Sequence, residues 1–194
     1  YLHALHAGPQ REHNLWGNQD LQAHERFRLL CAVREGDWGV TGLNTAIERE
    51  LIARKRLVKD GPWYAGRPVM VTRNDSALGV FNGDIGITLP SPDGLLRVYF
   101  LDGDQLRSVG VARLAHIETA FAMTVHKSQG SEFTHAALVL PAYGGSVLGR
   151  ELVYTGITRA KAQCTVFTQH PKVLAQALAQ PTQRHSGLLE FFDS

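Results

Sequence analysis

The sequence predicts an α/β protein with a small antiparallel β unit set into it. Three observations predict this. Short continuous apolar runs alternate with helical periodicity on either side of the chain's middle, as in a sheet buried on both faces. From about residue 62 to 115, short strand-like segments follow one another with turn residues at close spacing, which argues for a small antiparallel barrel. After Leu114 the first rhythm returns.

The elements follow in order. The first 25 residues are rich in His, Gln and Asn and weakly patterned, and read as helix and loop leading into Phe27. FRLLCAV (27–33) is a buried strand. After GDWGVTGLN, Thr41 is the expected helix N-cap, and Leu43, Ile47 and Leu51 recur every four residues. GPWYAGRP (61–68) is loop chemistry and RPVMVT a strand. Phe81–Asp84 holds an Asn-Gly pair, a hairpin signal, and Ile85, Ile87 and Leu89 alternate after it. Pro90–Gly94 is a turn, LLRVYFL a strand, Asp102-Gly103 a turn and LRSVGV a strand. TAFAMTV, HKSQGSEF and AALVLP (136–141) then read as element, loop and buried strand. RELVYTGITRAK reads as a helix with Leu152, Gly156 and Ala160 on one face and Arg159 and Lys161 at its end. QCTVFT is a strand, Pro171 opens a helix KVLAQALAQ, and the tail is loose. The domain division expected is 1–60 with 116–194, and an insert at 61–115.

Composition narrows the function classes. With 194 residues, 44% apolar and 20% charged, the chain is neither disordered, collagen-like nor a coiled-coil rod. Such a length buries roughly 70% of its unfolded surface and needs no disulfide. Cys31 and Cys164 lie in apolar runs without metal-ligand spacing, and read as buried free thiols in a reducing cytosol, so a cytoplasmic location is expected. No apolar run approaches the ~18 residues of a membrane span, and no secretion signal is visible. The chain opens on Tyr1, not Met, and so reads as a piece of a longer protein. Net charge is only +2, yet from Gln105 to Lys172 seven basic residues stand against three acidic ones. That fits a local cationic surface or a solvated mixed face.

The sequence has no GxxxxGK[ST] loop, no GxGxxG, no GxSxG and no HExxH, so phosphoryl transfer by this chain alone is not expected. Two segments look chemical. Met123–Phe133 sets seven consecutive polar or Gly residues between buried elements, and its hydroxyls, ammonium, imidazole and backbone N–H groups suit phosphates and sugars. It also reads as a well-capped turn. Tyr154–Lys161 carries Arg159, which either complements a helix dipole or reaches a γ-phosphate across a cleft. Asn74 and Asp75 cap a loop or contact a ligand.

AMTVHKSQGSEF resembles motif V, and ELVYTGITRAK motif VI, of superfamily 1B helicases. GRPVMVTRNDSALGVFNGDIG resembles the SH3-like barrel (domain 2B) that this family inserts in its second RecA-like domain (2A), and LLCAVREGDWGVTGLN the 2A segment before it. Over roughly residues 25–190 the chain is similar to the C-terminal part of the RecD family, alpha subunits of exodeoxyribonuclease V (RecBCD). The resemblance implies an ATP-driven 5′→3′ motor on single-stranded DNA, acting in double-strand break repair and recombination with RecB and RecC, of which only the second motor domain is present. It implies that Arg159 is the arginine finger, that Glu132 lies near the ribose, that Gly130 admits close backbone approach there, and that Gln129 couples nucleotide and DNA faces. Thr124, His126, Lys127 and Ser128 match the face that meets DNA phosphates, Arg34 matches the motif IV arginine near the γ-phosphate, and Asn74 and Asn82 are barrel contacts to DNA. ATP and Mg²⁺ are the implied cofactors, with their main ligands outside this chain. Two rival readings stand beside it. One is a non-catalytic nucleic-acid-binding or docking module. The other is an SH3-like adaptor whose groove would draw on Trp63, Tyr64, Phe81, Tyr99 and Phe100.

Overall fold

The computed structural model describes residues 26–103 and 105–180. The N-terminal histidines, the helix expected before Phe27 and the tail after residue 180 lie outside them.

Four strands form a parallel sheet in the order β7-β1-β8-β9: β1 (Phe27–Cys31), β7 (Ala122–Thr124), β8 (Phe133–Leu140) and β9 (Ala160–Thr168). Leu29 is level with Ala122 and Ala137, and Ala137 with Thr165. The two central strands carry continuous apolar stretches, Leu29–Cys31 and Ala136–Leu140, because helices or loops cover both their faces there. α1 (Val40–Ala53), α2 (Arg150–Ile157) and α3 (Lys172–Ala179) supply the cover. Leu30, Met123, Leu138, Leu140, Leu152 and Val153 form the heart of the core. Each such side chain stabilises the fold by about 1.5–3 kcal/mol through lost apolar exposure.

Five antiparallel strands form a second sheet, inserted between β1 and β7 in the chain. Their order is β5-β4-β3-β2-β6: β2 (Pro68–Val71), β3 (Ile85–Pro90), β4 (Leu96–Asp102), β5 (Gln105–Gly110) and β6 (Ile117–Thr119). Its hydrogen bonding is open, with β5 and β6 as the two edges. The α/β core is therefore present, while the antiparallel unit is a sheet without demonstrated closure into a barrel. Val69, Val71, Val98, Phe100 and Val109 pack on one face, and Ile87, Leu89 and Tyr99 on the other. Met70 and Ile85 leave this sheet to pack into the core of the parallel one. The crossing between sheets is clamped by Asn44, whose side chain donates to the carbonyls of Thr119 and Ala122 at 3.1 Å and accepts from Ala122 N at 3.0 Å. Buried Arg28 adds a donation to Ala120 O at 3.2 Å.

Several local expectations change. Gly39, not Thr41, is the N-cap of α1, and it caps with no side chain. The chain folds back on the strand end, so Val33 O and Arg34 O accept from Val40 N and Thr41 N at 3.2 and 3.0 Å. With the orphan amides satisfied by backbone, Thr41 donates its hydroxyl to Arg34 O at 3.2 Å. The Asn-Gly pair does not close a two-residue hairpin. It ends the long 72–84 connection between β2 and β3, where Asp84 N donates to Phe81 O at 3.0 Å. α2 stops at Ile157, and Ala160 and Lys161 belong to β9. Pairing won over helical periodicity there: Phe133 N donates to Arg159 O at 2.8 Å, starting the ladder with β8. Pro171 is the cap of α3 and not its first turn. Cys31 is buried as expected, while Cys164 on the edge strand is only half-buried.

Candidate functional site

The polar segment after β7 is a self-braced loop. Val125 N donates to Cys31 O at 3.0 Å, tying the loop's start to the sheet. A 3-10 turn spans His126–Ser128. Ser128, fully buried, donates its hydroxyl to Val125 O at 2.7 Å, and Thr124 Oγ1 accepts from Lys127 N at 3.2 Å. Gln129 N donates to His126 O at 3.3 Å, and Ser131 N to Ser128 O at 3.0 Å. Gly130 takes φ +86°, a conformation in which an L side chain is strained, and nothing would touch a Cβ there. The backbone at Gly130 is thus bare toward solvent.

Two grooves border this loop. One, about 450 Å³, is lined by Asn82, Gly83, His126, Lys127, Gln129, Gly130 and Ser131. The other, about 510 Å³, is lined by Gln129, Arg150, Glu151, Tyr154 and Thr155. Gln129 belongs to both, which sets it at the ridge between them. Across the first groove, Lys127 Nζ donates to Asn82 Oδ1 at 3.0 Å, and Asn82 N donates to Asn74 Oδ1 at 2.8 Å. Three residues picked separately in the sequence are therefore joined in one chain of hydrogen bonds from the antiparallel sheet to the loop.

Arg159 meets the same loop from behind. Its Nη1 donates to Ser131 O at 3.2 Å, Nε to Thr155 O at 3.2 Å, and Nη2 to Thr158 Oγ1 at 3.3 Å. No carboxylate neutralises it among the described residues. Glu132 is exposed, and its Oε2 lies 3.6 Å from Lys161 Nζ, with both side chains more than half exposed. Such a pair contributes little stability, at most about 1 kcal/mol, and is free to rearrange.

The structure brings together His126, Lys127, Gln129, Gly130, Glu132, Arg159, Asn82 and Asn74. It does not bring Arg34 to Arg159. Arg159 enters β9 beside Phe133, while Arg34 follows Cys31, which is level with Val139. Six residues of strand separate those levels, about 20 Å at ~3.3 Å per residue. Arg34 instead donates to Glu118 Oε2 at 2.7 Å, which pushes its guanidinium pKa further up. Ser128 and Thr124 support the loop from within; their hydroxyls serve its backbone. Tyr154 and Thr155, which line the second groove, had no assigned role in the sequence reading. The signal was there: Leu152, Val153 and Gly156 take the buried face of α2, so Tyr154, 70% exposed, points away from the core.

Residues 119–167 match the UvrD-like helicase C-terminal domain family. RecBCD enzyme subunit RecD of Mycobacterium tuberculosis strain H37Rv is 41% identical over 185 residues, 94% of this chain and 32% of that protein. The chain is homologous to RecD. The RecD subunit of Haemophilus influenzae is 43% identical over 163 residues, 83% of this chain and 24% of that one. The ATP-dependent RecD2 DNA helicase of Deinococcus radiodurans is 31% identical over 165 residues, 84% of this chain and 23% of that one. The chain thus spans about a third or less of the RecD proteins it matches. Among solved structures, Pif1 helicase from Candida albicans aligns at TM-score 0.49 and 14% identity, over 90% of this chain and 53% of that one. Pif1 from Bacteroides in complex with ADP-AlF3 and ssDNA aligns at TM-score 0.48 and 16% identity, over 99% and 48%. Among the described residues no helix is long and apolar enough to cross a membrane.

Proposed function

We propose that this chain is the C-terminal motor part of an ATP-dependent 5′→3′ DNA helicase, acting on single-stranded DNA in double-strand break repair and recombination. The division we propose is a RecA-like domain from 1–60 and 116–194, with the antiparallel unit, 61–115, as an SH3-like insert. RecB and RecC, implied by the RecBCD names of the relatives, are the proposed partners. The observation that carries the reading is the ledge on which Arg159 backs onto Ser131 of the polar loop.

A guanidinium has five N–H donors, and Arg159 commits three of them to protein oxygens. That leaves two, preorganised, for phosphate oxygens presented by a facing domain. Held this way, Arg159 stabilises charge on a transferring phosphoryl group without forming a covalent bond. Gly130 exposes backbone, and Glu132 exchanges Lys161 for a sugar hydroxyl. Gln129, on the ridge, touches both grooves. On the other side Lys127 and His126 hold DNA phosphates, with Asn82 and Asn74 behind Lys127. Among the described residues no cluster of His, Cys, Asp or Glu fits a metal, so the Mg²⁺ ligands and the phosphate loop are proposed to lie elsewhere in the motor. Alone, this chain is expected to hydrolyse no ATP.

In the full-length protein, Arg159→Ala is expected to lower ATP turnover on the order of 10³-fold while nucleotide affinity is kept. Turnover at the parent rate would remove Arg159 from catalysis and favour a non-catalytic docking module.

A further inference from the structure

The turn that carries Asn82 also presents an aromatic ring to solvent. Phe81 is 52% exposed. The turn beneath it is rigidly built. Phe81 N donates to Asp84 Oδ2 at 2.9 Å, and Asp84 N to Phe81 O at 3.0 Å. Asn82 N donates to Asn74 Oδ1, and Lys127 reaches Asn82 from the other sheet. From β5, Arg107 donates to Gly79 O and, at 3.4 Å, to Leu78 O. It also pairs with Asp84 at 3.4 Å and lies 5.2 Å from the Phe100 ring centre. Asp84 of this turn is paired with Arg107, and Lys127 Nζ, 3.0 Å from Asn82 Oδ1, sets a cation beside the turn.

Exposing a Phe forgoes about 1.5–3 kcal/mol of burial. Here the surrounding hydrogen bonds hold the backbone under that exposed ring in place. A ring presented with its ordering cost already met, next to donors suited to phosphates, has what stacking on an unpaired base requires. We propose that Phe81 is a stacking platform for one base of single-stranded DNA whose backbone passes over Lys127, and that Arg107 is the positioning residue that braces the platform. This rests on the DNA-facing reading of the ledge. Stacking is indifferent to base identity, so the contact adds affinity without sequence preference.

The test is fluorescence anisotropy of the full-length protein at low salt, with a labelled oligothymidylate and with an all-abasic backbone of equal length. Phe81→Ala is expected to weaken oligothymidylate binding about tenfold and to leave abasic binding unchanged, and Phe81→Trp to restore the preference for bases. Arg107→Gln is expected to lose part of that preference while thermal unfolding stays cooperative. Lys127→Gln is expected to weaken both oligonucleotides alike and to flatten the salt dependence. If Phe81→Ala binds oligothymidylate as the parent does while Lys127→Gln is impaired, the platform is refuted and the ledge stands. Unchanged binding by Lys127→Gln, or no binding by the parent, overturns the DNA-facing reading and the platform with it.

Discussion

Arg159 and Arg34 show how one residue type acquires opposite characters. Arg34 is spent on Glu118 at 2.7 Å, whereas Arg159 rests on two carbonyls and a hydroxyl that carry no formal charge. Only the second has charge left for a ligand. Nothing in the local sequence separates them, because Glu118 reaches Arg34 through the packing of two sheets. The cysteines differ in the same way. Both looked buried in the sequence, yet only Cys31 is fully enclosed, and burial pushes its thiol from 9.0 up to about 12. The folded chain therefore keeps this proton between pH 9 and 12, while the unfolded chain gives it up. Stability falls as pH rises through that window, by at most about 1.4 kcal/mol per unit. Urea midpoints between pH 9 and 10.5 should drop more steeply for the parent than for Cys31→Ala. At pH 8, iodoacetamide should label Cys164 and spare Cys31 in the folded chain; labelling of both at equal rates would contradict this burial.

At the scale of elements, α2 shows which features of a helix are readable. Its buried stripe was legible, since Leu152 and Gly156 recur at helical spacing. Its end was not, because β9 begins where β8 offers partners, and that pairing is remote in sequence. Gly156 matters for closeness: a Cβ there would meet Leu138 Cδ1 at 2.8 Å, and Leu138 is fully buried. Gly156→Ala would gain about 1 kcal/mol of helix propensity and incur about 1–3 kcal/mol of overpacking. Urea denaturation should show net destabilisation of up to about 2 kcal/mol; a stabilised variant would mean that Leu138 has room to move. The polar loop is the complementary case. Its function-like composition was visible, but Ser128's inward hydroxyl was not, because a 3-10 turn follows from backbone geometry that Ser, Thr and Gln do not dictate. The turn at Phe81–Asp84 was legible as a turn, though not as the end of a 72–84 connection. Its bracing comes from Arg107 on β5 and Lys127 beyond the insert.

Across the whole molecule, the two sheets are joined by Met70 and Ile85 in the core, by Asn44 and Arg28 at the crossing, by Arg34–Glu118, and by Lys127–Asn82 at the surface. The first two make the relation between sheets stable, and the last sets one cation of the loop against the insert. The alternation of apolar runs made the α/β core and the antiparallel insert legible, because period and turn chemistry are local. Which loops meet was legible only through the resemblance of motifs, since that depends on strand order. On the function proposed above, one ledge serves a nucleotide on the Arg159 side and DNA on the Lys127 side. One assay reads both: ATP turnover of the full-length protein titrated with single-stranded oligonucleotide. Arg159→Ala is expected to lower the plateau on the order of 10³-fold, while the His126→Ala, Lys127→Ala pair is expected to keep the plateau and to need more DNA to reach half of it. A parent-like plateau for Arg159→Ala, or an unshifted DNA requirement for the pair, would contradict it.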